Sequence, residues 1–459
     1  MAVIPVLDKF TENTIREVNE TAPGEIDGII GNSLVGASLI SGLNSGVKSN
    51  YLMEAAGLLE KKRREIADLL TSESGKPVRF ALEEADHCIE LARYAASILA
   101  AGSDGAVFGN ATGQGDFHSL SYLRFPIGIV LGITPYPDNL LIACNKILPA
   151  LSAGNAALLK PSSMDPLGAL ALRDILVEGG FPAEAMQVIV AGRRSPATAK
   201  LLRNREISMV SFTGSAGASE EIFRASPPRK FSMQVGSNCP VIVWDDSDPD
   251  SASDIIARSS FRNQGQGCLR AQRIIVMDRL EEYLVNRLAE ISSGLRTGNP
   301  HDDSTDIGPL ASEERAVAIE NAILKDLAAG GQVITGGNRK GSILEPTVIK
   351  ASGRESDLWQ HEIGGPVAVV LSAGSLSEAI ELANAASSGL QAGIFTSDLS
   401  IADLAFRNLM CGSVLINDAP GYRFNSIPYA GMKGSGFGTE GLRFSMEEMS
   451  VPRSMIVRR

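Results

Sequence analysis

From residue 120 onward, short β-branched or apolar runs alternate with amphipathic stretches, and this alternation restricts the possible folds more than any other feature. The runs at 127–133, 156–160, 186–191 and 209–212 read as strands, and 167–178 and 196–203 read as the helices between them. A second block, 237–420, repeats the pattern with strands at 273–277, 367–371 and 413–416 and helices at 280–295 and 376–385. A helix between consecutive strands returns the chain to its starting end, so the strands run parallel and helices cover both faces. Two doubly wound α/β units are expected. Upstream, residues 51–100 carry helical apolar spacing among charged neighbours, as at Leu58, Leu59, Ile66 and Ala67, and should pack as helices against a sheet.

The 459 residues, 44% hydrophobic, suffice for more than one buried core. A net charge of −11 argues against a general basic field for nucleic acid or an anionic membrane. The apolar stretch 125–159 is broken by prolines, Asp138 and Lys146, which a membrane span would not carry. The first residues lack a long apolar run, so no secretory signal is expected. Cys88, Cys144, Cys239, Cys268 and Cys411 lack paired spacing, which points to a reducing, cytoplasmic setting without disulfides or zinc. Nor do His87, His118, His301 and His361 show metal-ligand spacing, so no metal is expected.

Cys268 closes the segment Phe261-Arg262-Asn263-Gln264-Gly265-Gln266-Gly267-Cys268. Its glycines allow close approach of a ligand, and Leu269-Arg270 follows, so main-chain amides and a cation could favour a thiolate. The octapeptide alone fits a buried structural cysteine equally well. Gly214-Ser215 opens a helix whose free N–H groups suit a pyrophosphate, although this is not the G-x-G-x-x-G pattern.

Upstream of this segment lies Met233-Gln234-Val235-Gly236-Ser237-Asn238, and ordered blocks continue on both sides. They include Phe125 to Gly128, Ile133-Thr134-Pro135-Tyr136, Lys146 to Leu151, Lys160-Pro161-Ser162, Phe212-Thr213-Gly214-Ser215, Glu362-Ile363, Val414 to Asn417 and Pro428 to Gly438. Together they resemble the aldehyde dehydrogenase superfamily over about nine tenths of the chain, the first forty or so residues matching poorly. The motifs lie nearest the succinate-semialdehyde, lactaldehyde, phosphonoacetaldehyde and non-phosphorylating glyceraldehyde-3-phosphate branches.

The resemblance implies a nucleotide-binding domain at 1–105 and 125–236, a catalytic domain at 237–420, and an oligomerisation arm with a C-terminal segment at 106–124 and 421–459. A homodimer or homotetramer is implied with it. The Cys268 thiolate would add to a small aldehyde, and loss of hydride to a nicotinamide would leave a thioester. Thr134, Pro135, Tyr136, Lys160, Ser162, Ser163, Phe212, Thr213, Gly214, Ser215, Gly236 and Glu362 fall at cofactor positions. Ser163 stands where many NAD-preferring relatives have a glutamate that repels a 2′-phosphate, so NADP is the expected cofactor, with NAD tolerated. Arg262 matches a substrate-carboxylate clamp, whose partner arginine is Asn145 here, and Arg423 is a second candidate for an anion.

Departures from the family pattern concentrate on the chemistry. Gln234 replaces the glutamate that activates water in hydrolytic members, and a carboxamide takes up no proton near neutral pH. Pro137 replaces the oxyanion-hole asparagine, a role the shifted Asn139 could fill. Ser219 and Gly364 depart at the cofactor end. Three readings stand open: hydrolytic oxidation of an anionic aldehyde, acyl transfer to CoA, and a nucleotide-binding paralogue with degraded catalysis.

Overall fold

A computed structural model describes residues 2–102, 118–421 and 423–458, together with the backbone of 105–108. Two open parallel sheets with helices on both faces, plus a separate antiparallel arm, make up the fold. The first sheet runs, edge to edge, through Gly436–Phe437, Lys230–Val235, Ile207–Gly214, Ile129–Ile133, Ala156–Lys160 and Met186–Val188. Its strands are parallel except Gly436–Phe437, which joins the edge antiparallel with Gly436 opposite Gln234. Ile129–Ile133 and Ala156–Lys160 are buried at every residue, as strands covered on both faces must be.

The chain builds outward from Ile129–Ile133 to Met186–Val188, then crosses back to lay Ile207–Gly214 on the other side. That reversal opens a crevice at the carboxyl ends of Ile129–Ile133 and Ile207–Gly214, where such sheets bind ligands. Thr134, Lys160, Gly214 and Gly236 all end or follow strands at this edge. Helices Ser45–Lys61, Arg63–Ser74 and Val78–Ala100 cover one face with Asn139–Ser152 and Leu167–Glu178, forming a single apolar core. On the other face, helix Ile26–Ser41 buries Ile26 and Ile30 against Ile129, Leu131 and Leu158.

The chain passes through Gly236–Cys239 directly into the second sheet, ordered Gln332–Thr335, Thr347–Lys350, Val367–Ala373, Arg273–Met277, Pro240–Val243, Gln391–Phe395 and Ser413–Ile416. Only Gln332–Thr335 is antiparallel there. Cys268 lies just before Arg273–Met277, at the amino end of this sheet, and so faces the carboxyl edge of the first. In the arm, Ser450–Arg458 pairs antiparallel with His118–Pro126, which also pairs with Gly105–Phe108. No single helix among the described residues is long and apolar enough to cross a membrane.

The strand expected at 186–191 stops at Val188, although Ile189 N–H still donates to Leu159 O. Lys230–Val235, which follows helix Ala216–Ala225, and the two-residue Gly436–Phe437 are strands that the alternation did not mark.

Candidate active site

The loop that leads to Cys268 is held in a conformation that side chains resist. After helix Pro249–Phe261, Asn263, Gln264 and Gly265 all have positive φ, at 50°, 52° and 64°. The two non-glycine residues cost on the order of 1–3 kcal/mol each. Buried hydrogen bonds offset that cost: Gln264 Nε2 donates to Gly75 O at 2.7 Å and Pro309 O at 3.0 Å. Asn263 Nδ2 donates to Asp138 Oδ1 at 3.0 Å. A Cβ on Gly265 would strike the Gly365 carbonyl, so glycine lets the Glu362–Pro366 segment close over the loop.

Cys268 is half-buried against Cys239, Leu390 and Tyr429. Burial, then the charges of Glu362 and Asp138 and the neighbouring Cys239, push its thiol up to about 12, with Arg423 opposing. The resting side chain is therefore a thiol, with a thiolate fraction of about 10⁻⁴ at pH 8. Alkylation of Cys268 by iodoacetamide in the nucleotide-free protein should rise about tenfold per pH unit from pH 7 to 10. A plateau near pH 8, followed by peptide mass spectrometry, would show a thiol that is already activated.

Gln234 is buried on Lys230–Val235, its Nε2 donating to Gly438 O at 3.3 Å and its Oε1 without a partner. A Cβ on Gly236 would collide with the Glu362 carboxylate, which thus lies directly over the strand end. Desolvation raises the Glu362 carboxyl, and Arg270 and Arg315 oppose the rise. Gly236 N–H donates to Gly214 O at 3.2 Å, joining the two strand ends beside Thr213 and the buried Phe212. Ser215 caps helix Ala216–Ala225 by accepting from Ala218 N–H at 3.4 Å.

Lys160 is buried at its strand end, and among the described residues the one hydrogen bond of its amine is a 3.4 Å contact to Pro161 O. Burial alone brings its amine down to about 8. A buried amine without a carboxylate partner, two strand ends closed by glycine and a carboxylate above them fit the ribose hydroxyls and phosphates of a dinucleotide. Ser162 Oγ accepts from Met164 N–H, and Ser163 lies beside it, half-buried. Thr134 N–H donates to Lys160 O, and the Tyr136 hydroxyl turns away to Ser74 O. Pro135 stands between them in the same strand-end turn.

Two residues expected at the site have other partners in this structure. Asn139 does not replace the missing oxyanion donor: it is fully buried, with Nδ2 donating to Asp165 O and Oδ1 accepting from Thr134 Oγ1 at 2.5 Å. Its amide is consumed in fixing the start of helix Asn139–Ser152. The Arg262 guanidinium pairs with Glu83 at 2.7 Å and lies over Phe80, lining a surface groove.

Arg423 lies 4.5 Å over the Tyr429 ring, beside Cys268, and pairs with Glu440 at 2.7 Å. Glu440 also receives Lys146 at 2.9 Å, so the buried Lys146 and the part-buried Arg423 share one carboxylate and leave a net positive charge. Coulombic attraction to Lys146 and Arg423 holds Glu440 below the usual carboxylate range despite burial. Sequence reasoning gave no role to Glu440, Tyr429, Asp138 or Lys76. Lys146 and Glu440 stand 294 positions apart, and nothing short of the fold pairs them.

The aldehyde dehydrogenase family profile matches residues 2–455. The chain belongs to the aldehyde dehydrogenase family. That family's reaction, NAD(P)-dependent oxidation of an aldehyde to an acid, is accordingly the class of this enzyme. The chain is 31% identical over 453 residues to the 3-sulfolactaldehyde dehydrogenase of Priestia megaterium, covering 98% of this chain and 94% of that protein. Aldehyde dehydrogenase 21 of Physcomitrella patens, solved with its product succinate, superposes with a TM-score of 0.96 at 30% identity, over 100% of this chain and 95% of that one. The NADP complex of glyceraldehyde-3-phosphate dehydrogenase GapN from Methanocaldococcus jannaschii gives 0.95 at 28% identity, over 99% of each chain.

Proposed function

We propose that this enzyme oxidises a small anionic aldehyde to its carboxylate through a thioester on Cys268, with NADP preferred to NAD. The observation that carries the reading is the cation pair: Lys146 and Arg423 share the single carboxylate of Glu440 beside the nucleophile. The excess positive charge suits both a thiolate and an anionic substrate group, and Arg423 Nε is left without a partner. In support, the sulfolactaldehyde enzyme and the succinate-bound enzyme act on anionic compounds by their names.

A nicotinamide cofactor, when bound, supplies the hydride acceptor. Lys160, Ser162 and Ser163 would meet its adenosine ribose, the Gly214-Ser215 turn its phosphates, and Glu362 its second ribose. The lack of an acidic side chain at Ser163 leaves a 2′-phosphate unopposed. The Cys268 main-chain N–H is a donor for the developing oxyanion. In the arm, exposed Leu123, Met455 and Ile456 suit burial in a homodimer or homotetramer.

With NADP and succinate semialdehyde, reduced cofactor should form, and kcat/KM should exceed that for a neutral aldehyde of equal length by about 10–100-fold, as loss of a charge-assisted contact worth ~1.5–3 kcal/mol requires. Equal values would overturn the anionic substrate, and faster turnover with NAD would overturn the cofactor preference. Gln234 favours a second reading, acyl transfer to CoA, which predicts that CoA accelerates turnover and appears as a thioester product.

A further inference from the structure

A carboxylate that no motif marks stands beside the nucleophile. Asp138 Oδ1 is fixed twice, by Lys76 Nζ at 2.7 Å and by Asn263 Nδ2 at 3.0 Å. Lys76 is itself buried, pairs also with Glu84, and so cannot swing away. These anchors aim the other oxygen at the loop: an ideal Cβ on Gly267, the residue before Cys268, would lie 3.9 Å from Oδ2. Among the described residues no hydrogen bond reaches Oδ2, and the side chain is 33% exposed, so water has access to it.

We propose that Asp138 is the general base of this site, taking a proton from the water that hydrolyses the Cys268 thioester. The proposal rests on the thioester reading above. Gln234 has no basic atom for the task. Glu440 is held by Lys146 and Arg423 through both oxygens, and Glu362 lies against Gly236 on the cofactor side. Asp138 is the carboxylate of the cleft with an oxygen free toward the nucleophile. In the step, the water oxygen bonds to the acyl carbon as one water proton passes to Oδ2. The tetrahedral adduct then collapses with cleavage of the C–S bond, giving the carboxylic acid and the Cys268 thiolate. The acid proton goes to the thiolate and the Asp138 proton to solvent, with no change of oxidation state.

p-Nitrophenyl acetate tests this without cofactor or aldehyde, because it acylates a nucleophilic thiol directly. Asp138→Asn keeps an oxygen for Lys76 and Asn263 but cannot hold the proton. The variant should retain the initial burst of nitrophenolate, lose steady-state release by about 10²-fold or more, and accumulate an acetylated Cys268 peptide. Adding Gln234→Glu, which restores a carboxylate across the cleft, should recover turnover and show that the variant is folded. Unchanged steady-state release would overturn the proposal, as would loss of the burst that Gln234→Glu fails to recover. A wild-type protein that acetylates and turns over the ester yet oxidises no aldehyde would remove the substrate reading while leaving Asp138 as the base. One that never acetylates Cys268 removes both.

Discussion

Cys268→Ala should leave a folded protein that binds NADP with nearly native affinity, forms no acyl adduct and oxidises aldehydes about 10⁴-fold more slowly or worse. On the proposed thioester chemistry, the size of the loss follows from covalent catalysis: without the sulfur there is no thiohemiacetal to lose hydride, and the remaining donors and charges have nothing to stabilise. The fold should tolerate the change, since the half-buried thiol packs at the edge of a small cluster of Cys239, Leu390 and Tyr429, and removing one sulfur costs about 1 kcal/mol. Fluorescence titration with NADP and intact-mass analysis after aldehyde addition give both readouts. Cys239 is the one other cysteine at the loop, fully buried with its thiol directed to Cys268 O at 3.8 Å. An adduct persisting in Cys268→Ala would make Cys239 the nucleophile.

Glu440→Ala should be the most destabilising single change at the site, by about 3–5 kcal/mol in urea denaturation. The carboxylate separates Lys146, fully buried, from the part-buried Arg423, and removing it leaves both cations uncompensated. Desolvation already lowers the Lys146 amine, with Glu440 as the main opposing charge. The folded-state pKa of Glu440 is depressed, so its stabilisation is present above the ordinary carboxylate range and is lost as pH falls through the lower folded value. The gap between wild type and variant should therefore stay constant from pH 6 to 8 and narrow only in acid. A gap that widened on acidification would mean that the pair is not charged as the geometry implies.

Much of the fold was legible because backbone hydrogen bonding and apolar periodicity are local properties. The buried runs at Ile129–Ile133 and Ala156–Lys160 and the amphipathic helices Leu167–Glu178 and Pro196–Arg203 declare themselves within a few residues. Gly265 and Gly267 were read as points of close approach; a Cβ on Gly265 would strike the Gly365 carbonyl, whereas one on Gly267 would meet nothing nearer than 3.9 Å. Strand Gly436–Phe437 was not legible, since a two-residue strand has no period and its partner lies some 200 positions away.

Side-chain commitments were the least legible part. Asn139 carries the right amide for an oxyanion donor, yet Asp165 and Thr134 claim both of its polar atoms. Arg262 sits at a matching distance along the chain from Cys268, yet Glu83, on a helix far upstream, takes its guanidinium. A residue's chemistry is written in its identity, but the partner that uses it is set by packing.

The sequence by itself determined the two parallel sheets, the family resemblance, the placing of Cys268 before a strand, and the replacement of a carboxylate by Gln234. Only the tertiary structure decided where charge resides around the thiol. Lys146, Arg423 and Glu440 come from three separate segments, as do Lys76, Asp138 and Asn263, and each set meets only when the sheets close on one another. Charge pairing falls off over a few ångströms and is indifferent to separation along the chain, so no local pattern could have announced it.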